Sequence, residues 1–215
     1  MVIETVKKRR VSLVAELSYL PNLITLGRIA SIPVILVFID NYSPERSFIA
    51  TMIYMGASIT DFLDGWLARR RKQVSLLGKF LDPLADKLIV TAVLVYLAAI
   101  DRCPSWLVVV LLSREFAITG LRSIATTEGL VISASDSGKQ KTALQLVATL
   151  FLLTHFRYPI WGTPHWINFH QVGIVILYMA MVMSIFSGVH YFLLFYRAAA
   201  ERDRAAASES NLDVS

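Results

Sequence analysis

The chain has 215 residues, of which 55% are hydrophobic and only 17% are charged, and its mean hydropathy is +0.57. This composition excludes an ordinary soluble domain and predicts an integral membrane protein. The net charge of +5 comes from Lys and Arg residues at the ends of apolar runs, so it favours anionic lipid and phosphate as partners and not nucleic acid.

The first twenty residues predict a short amphipathic helix. A basic cluster from Lys7 to Arg10 precedes a stretch in which apolar residues recur at about helical spacing. We expect this interfacial helix, residues 1–20, to lie on the membrane surface without crossing it. A disordered basic tail is the alternative interpretation.

Six apolar segments follow, and each approaches the length of about 20 residues with which a helix crosses the hydrocarbon core. They lie at about 22–40, 47–69, 82–100, 104–126, 138–156 and 171–197. Stretches rich in turn-forming residues separate them. We therefore predict an all-α membrane domain of six transmembrane helices over residues 21–198, followed by a disordered cytoplasmic tail over residues 199–215.

The distribution of Lys and Arg predicts the orientation in the membrane. An even number of spans places both termini on one side, and the loops on that side include the basic run 69–72 and Lys139. The opposite loops contain only Arg46, Arg102 and Arg157. Because basic residues are retained in the cytoplasm, we expect both termini to face the cytoplasm. The localisation that we expect for the whole chain is the inner membrane of a bacterium.

Four aspartates inside or beside the second and third apolar segments are the candidate chemical centre. Asp61 and Asp64 are three positions apart and Asp82 and Asp86 are four apart, so each pair would share one face of a helix. Carboxylates crowded into a site of low dielectric constant repel one another unless cations neutralise them. The aspartates therefore predict a divalent-metal site, and oxygen ligands favour magnesium, calcium or manganese over zinc.

The aspartates belong to a longer motif that resembles the signature of the CDP-alcohol phosphotransferase family. The matching positions are Asp61, Asp64, Gly65, Ala68, Arg69, Gly78, Asp82 and Asp86. The resemblance extends from Asn22 to about Tyr191. It implies a six-helix fold with two divalent metal ions, Mg²⁺ or Mn²⁺, and transfer of a phosphatidyl or similar group from a CDP-linked donor to an alcohol, with release of CMP. It also implies a homodimer.

This resemblance implies a role for each matching residue. Asp61, Asp64 and Asp82 would bind the metal ions, while Asp86 would contact the second metal and act as the general base on the acceptor hydroxyl. The binding site for CDP-diacylglycerol would comprise Asn22, Thr25, Arg28, Gly65, Ala68, Arg69, Ser75 and Gly78. The two glycines would let the nucleotide approach the backbone, although packing between helices also accounts for small residues at such positions.

Basic residues in the fourth and fifth segments predict an acceptor that carries a phosphate group. They are Arg114, Arg122, Lys139 and Lys141. Cations collected near one helix end suit a phosphate ligand. Alternatively, the lysines could serve only as topology signals, and Arg114 could simply pair with Glu115.

The strings SRE at 113–115 and GKxKTxxQ at 138–145 resemble the branch of the family that uses sn-glycerol 3-phosphate. The implied products are phosphatidylglycerophosphate and CMP. Inositol phosphate is the closest alternative acceptor. A divalent-cation transporter is an alternative of a different class, but the broken half-helices and inverted repeats expected of one are not evident.

Overall fold

The structure is a computed structural model that describes residues 19–71, 76–130, 136–159 and 165–212. Over these residues the chain forms helices joined by short turns, with one two-stranded sheet. The helices are α1 (Leu20–Phe38), α2 (Pro44–Arg71), α3 (Leu76–Ala99), α4 (Ser105–Thr127), α5 (Asp136–Thr154) and α6 (Phe169–Leu212). The prediction that each of the six apolar segments is helical is confirmed.

The long helix α6 has the clearest membrane character. Its segment Phe169–Arg202, 34 residues, is long and apolar enough to cross a membrane, and no other helix of the described residues meets the same test of length and composition. Helices α1 to α5 contain the charged residues that the sequence motifs assign to the site. The arrangement with six spans stays a prediction, as does the interfacial helix, since residues 1–18 lie outside the described part.

The chain divides into two compact units, Met1–Val93 and Leu94–Ser215, and the boundary between them falls within α3. In the first unit α1 packs against α2. The turn between these helices is closed by Arg46, which donates from Nη1 to Oδ2 of Asp40 and from Nη2 to the carbonyl of Val37, both at 2.8 Å. These contacts lie at the turn that joins α1 to α2.

In the second unit α6 packs against both α5 and α4. Buried leucines fill the space between them, namely Leu107, Leu111, Leu152, Leu153 and Leu177. Strands β1 (Arg157–Pro159) and β2 (Trp166–Asn168) form an antiparallel hairpin between α5 and α6, with Tyr158 opposite Ile167. The turn-forming residues of this stretch predict only a loop, so the hairpin is an addition to the predicted fold.

A buried arginine from the turn after α3 caps the C-terminal end of α5. Arg102 is 1% exposed, and its Nη1 donates to the carbonyls of Leu153 at 3.0 Å and Leu152 at 3.4 Å. Carbonyls in the last turn of a helix have no partner within the helix, and a cation near them also interacts favourably with the negative end of the helix dipole. Arg102 is thus a structural residue as well as one of the few basic residues predicted for the outer side.

The turn that contains Arg102 is tightly closed. Asp101 has φ of 61°, and the amide of Arg102 donates to the carbonyl of Leu97 at 2.8 Å, which ends α3. The next residue, Cys103, is buried, and this burial raises the pKa of its thiol to about 11. The only cysteine of the chain is therefore held as an unreactive thiol.

Helix α6 continues to Leu212, whereas the composition of the tail predicts disorder from residue 199 onward. Alanines after Arg197 have high helix propensity. An ion pair also holds this part of the helix, since Nη1 of Arg202 lies 2.5 Å from Oε2 of Glu128 at the end of α4. The last residues, 213–215, lie outside the described part.

Candidate active site

The motif residues lie on two helices. Asp61, Asp64, Gly65, Ala68 and Arg69 are on α2, whereas Gly78, Asp82 and Asp86 are on α3. Helical backbone at these positions confirms the geometry on which the pairing of the aspartates depends, because positions three or four apart lie on one side of a helix. The side chains of all these residues except Asp86 lie outside the described part, and so does the whole of Ser75. Their convergence on a metal site therefore stays a prediction.

Asp86 is held by a buried arginine of α1. Nη1 of Arg28 donates to Oδ1 of Asp86 at 2.6 Å. The side chain of Arg28 is 2% exposed, whereas that of Asp86 is 48% exposed. A charge-assisted hydrogen bond of this length is strong and directional. Arg28 therefore fixes the orientation of a carboxylate that remains accessible to a ligand.

Arg28 is the last of three buried polar residues on α1. Asn22, Thr25 and Arg28 are 2%, 1% and 4% exposed, and each lies about one turn from the next. The C-terminal half of the same helix instead buries Ile35, and Ile39 directly after the helix is buried as well. The helix thus turns a polar face inward only near its start, where the family resemblance places these residues beside the donor.

In the second unit a carboxylate lies between two of the predicted cations. Oε2 of Glu115 accepts a short hydrogen bond from Nζ of Lys141 and lies 3.4 Å from Nη1 of Arg114. The Lys141 side chain is only 5% exposed. A buried ammonium group requires a partner, so Glu115 stabilises Lys141 inside the protein. The pairing of Arg114 with Glu115 is confirmed, and Lys141 is buried, unlike a solvated topology signal.

Arg114 is also fixed by α6. Its Nε donates to the carbonyl of Ser184 at 2.9 Å, and its Nη2 donates to the hydroxyl of Ser187 at 2.7 Å. Gly188 lies against the same side chain, because a Cβ atom there would be 3.2 Å from Nε and 3.3 Å from Cγ. Three residues of α6 therefore lie against the Arg114 side chain.

The two remaining predicted cations have separate surroundings. The guanidinium carbon of Arg122 lies 5.7 Å from the centre of the Tyr191 ring, which is the geometry of a cation–π contact. Lys139 lies on α5, and its side chain is outside the described part. The structure thus brings Arg114 and Lys141 together around Glu115 and attaches Arg122 to α6.

The residues of α6 that contact these cations are not among those predicted from the sequence. Ser184, Ser187 and Gly188 lie in the mostly apolar part of α6. Small residues at such spacing mark close contacts between membrane helices, and this is the signal that the sequence offers. This signal cannot identify the partner, because Ser184 and Ser187 are 70 and 73 positions away from Arg114.

Comparison with known proteins agrees with the motif. A family profile described as CDP-alcohol phosphatidyltransferase matches residues 18–195. A Bacillus subtilis (strain 168) protein named CDP-diacylglycerol--glycerol-3-phosphate 3-phosphatidyltransferase is 38% identical over 185 residues, which cover 80% of this chain and 93% of that protein. A Rickettsia bellii protein of the same name is 36% identical over 176 residues, with the same shares of 80% and 93%. A Mycobacterium tuberculosis protein named probable phosphatidylglycerophosphate synthase is 35% identical over 182 residues, which cover 82% of this chain and 81% of that protein.

Proposed function

We propose that this chain, which belongs to the CDP-alcohol phosphatidyltransferase family, transfers the phosphatidyl group of CDP-diacylglycerol to sn-glycerol 3-phosphate, giving phosphatidylglycerophosphate and CMP. The names of the relatives in Bacillus subtilis and Mycobacterium tuberculosis support this reaction. The similarity covers 93% of the Bacillus protein and is therefore not confined to the motif.

The choice of acceptor rests on the two cations beside Glu115, which are Arg114 and Lys141. Among the described residues, Arg114 donates three of its N–H groups, to Ser184, Ser187 and Glu115. A guanidinium has about five N–H groups in all, so about two of them have no partner within this part of the chain and would suit a phosphate. Lys141 contributes a second charge at the same carboxylate. A neutral alcohol would not require these charges, whereas a phosphorylated one would.

The family generally depends on divalent metal ions, and we assign two of them, Mg²⁺ or Mn²⁺, to the aspartates of the motif. Asp61 and Asp64 on α2 and Asp82 and Asp86 on α3 would be the ligands. The fit rests on helical spacing, on the accessible carboxylate of Asp86 and on an all-oxygen set of donors, which such ions prefer. When bound, the ions would neutralise the pyrophosphate and polarise the attacked phosphorus.

In the proposed reaction, the primary hydroxyl oxygen of glycerol 3-phosphate forms a bond to the phosphorus that carries the diacylglycerol. The bond from this phosphorus to the oxygen of the CMP phosphate breaks, and CMP leaves with the electron pair. Asp86 accepts the proton of the hydroxyl group. Arg28 orients Asp86 for this step through the 2.6 Å hydrogen bond.

The donor is assigned to the start of α1 and to the motif. Arg69 would bind a phosphate of the CDP group with its planar guanidinium, and Gly65 and Gly78 would allow the nucleotide close to the backbone. The complete proposed set is Asn22, Thr25, Arg28, Gly65, Ala68, Arg69, Ser75 and Gly78. The buried polar side chains of Asn22, Thr25 and Arg28 support this assignment.

We place this chemistry at a membrane surface. The family is one of membrane enzymes, and Phe169–Arg202 has the length and composition of a span. The proposal comprises six spans, an interfacial helix over residues 1–20, both termini and the active site on the cytoplasmic side of the inner membrane, and a homodimer. A cytoplasmic site gives access to glycerol 3-phosphate from water and to the donor from lipid.

Release of CMP tests the proposed function. Purified protein with Mg²⁺, CDP-diacylglycerol and glycerol 3-phosphate should release CMP in proportion to the lipid product. Chelation of the metal should stop the reaction, and Mg²⁺ or Mn²⁺ should restore it. No release with glycerol 3-phosphate, inositol phosphate or neutral alcohols would overturn the enzymatic role. Release with inositol phosphate alone would overturn only the choice of acceptor.

A further inference from the structure

We propose that Ser187 and Gly188 of α6, together with Glu115 of α4, are positioning residues that hold Arg114 and Lys141 in place for the phosphate of the acceptor. This inference rests on the proposed function, because it assigns both cations to the acceptor site. The three positioning residues do not contact the substrate themselves. They would set the affinity for the acceptor through the geometry of the cations.

The first support is the way in which α6 immobilises Arg114. An arginine side chain has many rotamers, and fixing one of them on binding costs conformational entropy. Here the Ser184 carbonyl at 2.9 Å and the Ser187 hydroxyl at 2.7 Å fix the guanidinium before any ligand arrives. Such preorganisation lowers the free-energy cost of binding.

The second support is the absence of a side chain at position 188. A Cβ atom there would lie 3.2 Å from Nε of Arg114, so the arginine would have to move by a few tenths of an ångström. Glycine in a helix costs stability relative to alanine, and this close approach of Arg114 offsets that cost. Gly120 on α4 differs, because a Cβ atom there would meet nothing within 4 Å.

The third support is the position of Glu115 between the two cations. Arg114 and Lys141 would repel each other without a carboxylate between them. With Glu115 the group of three keeps one net positive charge, and the Lys141 ammonium is held although its side chain is only 5% exposed. A phosphate group that approaches would then meet two cations whose positions are already set.

A purely structural role for these residues gives a different expectation. In that case Arg114 would only tie α4 to α6, and loss of the contact would lower stability and the amount of folded enzyme without an effect specific to one substrate. The Michaelis constants of the two substrates separate these roles, because a weaker acceptor site raises KM for the acceptor alone.

The experiment compares Gly188→Ala and Ser187→Ala with the unchanged enzyme in full-length, folded form. Each should raise KM for glycerol 3-phosphate about five- to tenfold, as expected when a hydrogen bond to a charged group is lost or bent. The values of kcat and of KM for CDP-diacylglycerol should stay within about twofold. Ser187→Thr keeps the hydroxyl group and should restore most of the affinity for the acceptor.

Two glycine variants serve as matched controls. Gly173→Ala is also on α6, but its Cβ would lie 3.0 Å from Leu152, so it should lower the melting temperature and leave KM for the acceptor unchanged. Gly120→Ala has open space around it and should change neither quantity. Unchanged KM for glycerol 3-phosphate in both Gly188→Ala and Ser187→Ala would overturn this inference alone. An unchanged enzyme that does not use glycerol 3-phosphate would overturn the proposed function and this inference together.

Discussion

At the scale of single residues, the contact between Arg28 and Asp86 connects α1 with the motif. The family resemblance assigns Arg28 to the nucleotide and Asp86 to proton transfer, as two separate roles. The hydrogen bond of 2.6 Å joins them, since a buried guanidinium orients the proposed base. A role in positioning Asp86 is therefore added to the proposed role of Arg28 in binding the donor.

Replacement of Arg28 tests this positioning role. Arg28→Lys keeps the positive charge but loses the planar guanidinium, so Asp86 should no longer be held in one orientation. We expect kcat to fall about tenfold or more, because misplacement of a catalytic group slows the reaction. Turnover under saturating substrates is the measurement.

The chain supplies a control for this variant. Arg46 pairs with Asp40 at 2.8 Å in the same unit, but the Arg46 side chain is 49% exposed. Arg46→Lys should leave kcat unchanged, since exposed ion pairs contribute little. If Arg28→Lys retained the kcat of the unchanged enzyme, the proposed positioning of Asp86 would be wrong.

At the scale of elements, hydrophobic pattern and length are sufficient to predict the six helices, but not their ends. The apolar pattern of the second segment begins at residue 47, whereas α2 begins at Pro44. Proline is favoured in the first turn of a helix because its missing N–H is not needed there, and the amide of Arg46 donates to the hydroxyl of Ser43 at 3.3 Å. Ser43 and Pro44, which the sequence pattern assigns to a turn, thus mark the start of α2.

The end of α5 offers a test of stability at the same scale. Arg102→Ala would leave the carbonyls of Leu152 and Leu153 without their buried donor, at a cost of about 2 kcal/mol. For a chain of this size the melting temperature should fall by about 4–8 °C. Thermal unfolding in detergent measures this change. The exposed Arg157 gives the control, because Arg157→Ala should have no comparable effect. An unchanged melting temperature in Arg102→Ala would contradict the structural role.

At the scale of the whole molecule, the local part of the site is predictable from the sequence and the non-local part is not. The motif on α2 and α3 occupies one short stretch, so helical spacing and family resemblance are sufficient to propose its residues together. The contact of Arg114 with Ser187 joins positions that are 73 residues apart. Only the packing of α4 against α6 reveals it, and no periodic pattern in either helix specifies the partner.

The molecule therefore has two groups of proposed functional residues, one around Asp86 in Met1–Val93 and one around Glu115 in Leu94–Ser215. The first group carries the proposed transfer chemistry, and the second carries the proposed choice of acceptor. Each has a buried cation held by a carboxylate, Arg28 with Asp86 and Lys141 with Glu115. A substitution in the first group should thus affect turnover, and one in the second should affect affinity for the acceptor.

The most direct measurement is the transfer of label from radioactive glycerol 3-phosphate into extractable lipid. With CDP-diacylglycerol and Mg²⁺, the unchanged protein should form labelled phosphatidylglycerophosphate and an equal amount of CMP. Asp86→Asn should form less than about one hundredth as much, because it lacks the proton acceptor, while it still binds CDP-diacylglycerol. Absence of labelled lipid with the unchanged protein, or near-normal labelling with Asp86→Asn, would contradict the proposed reaction or its proposed base, respectively.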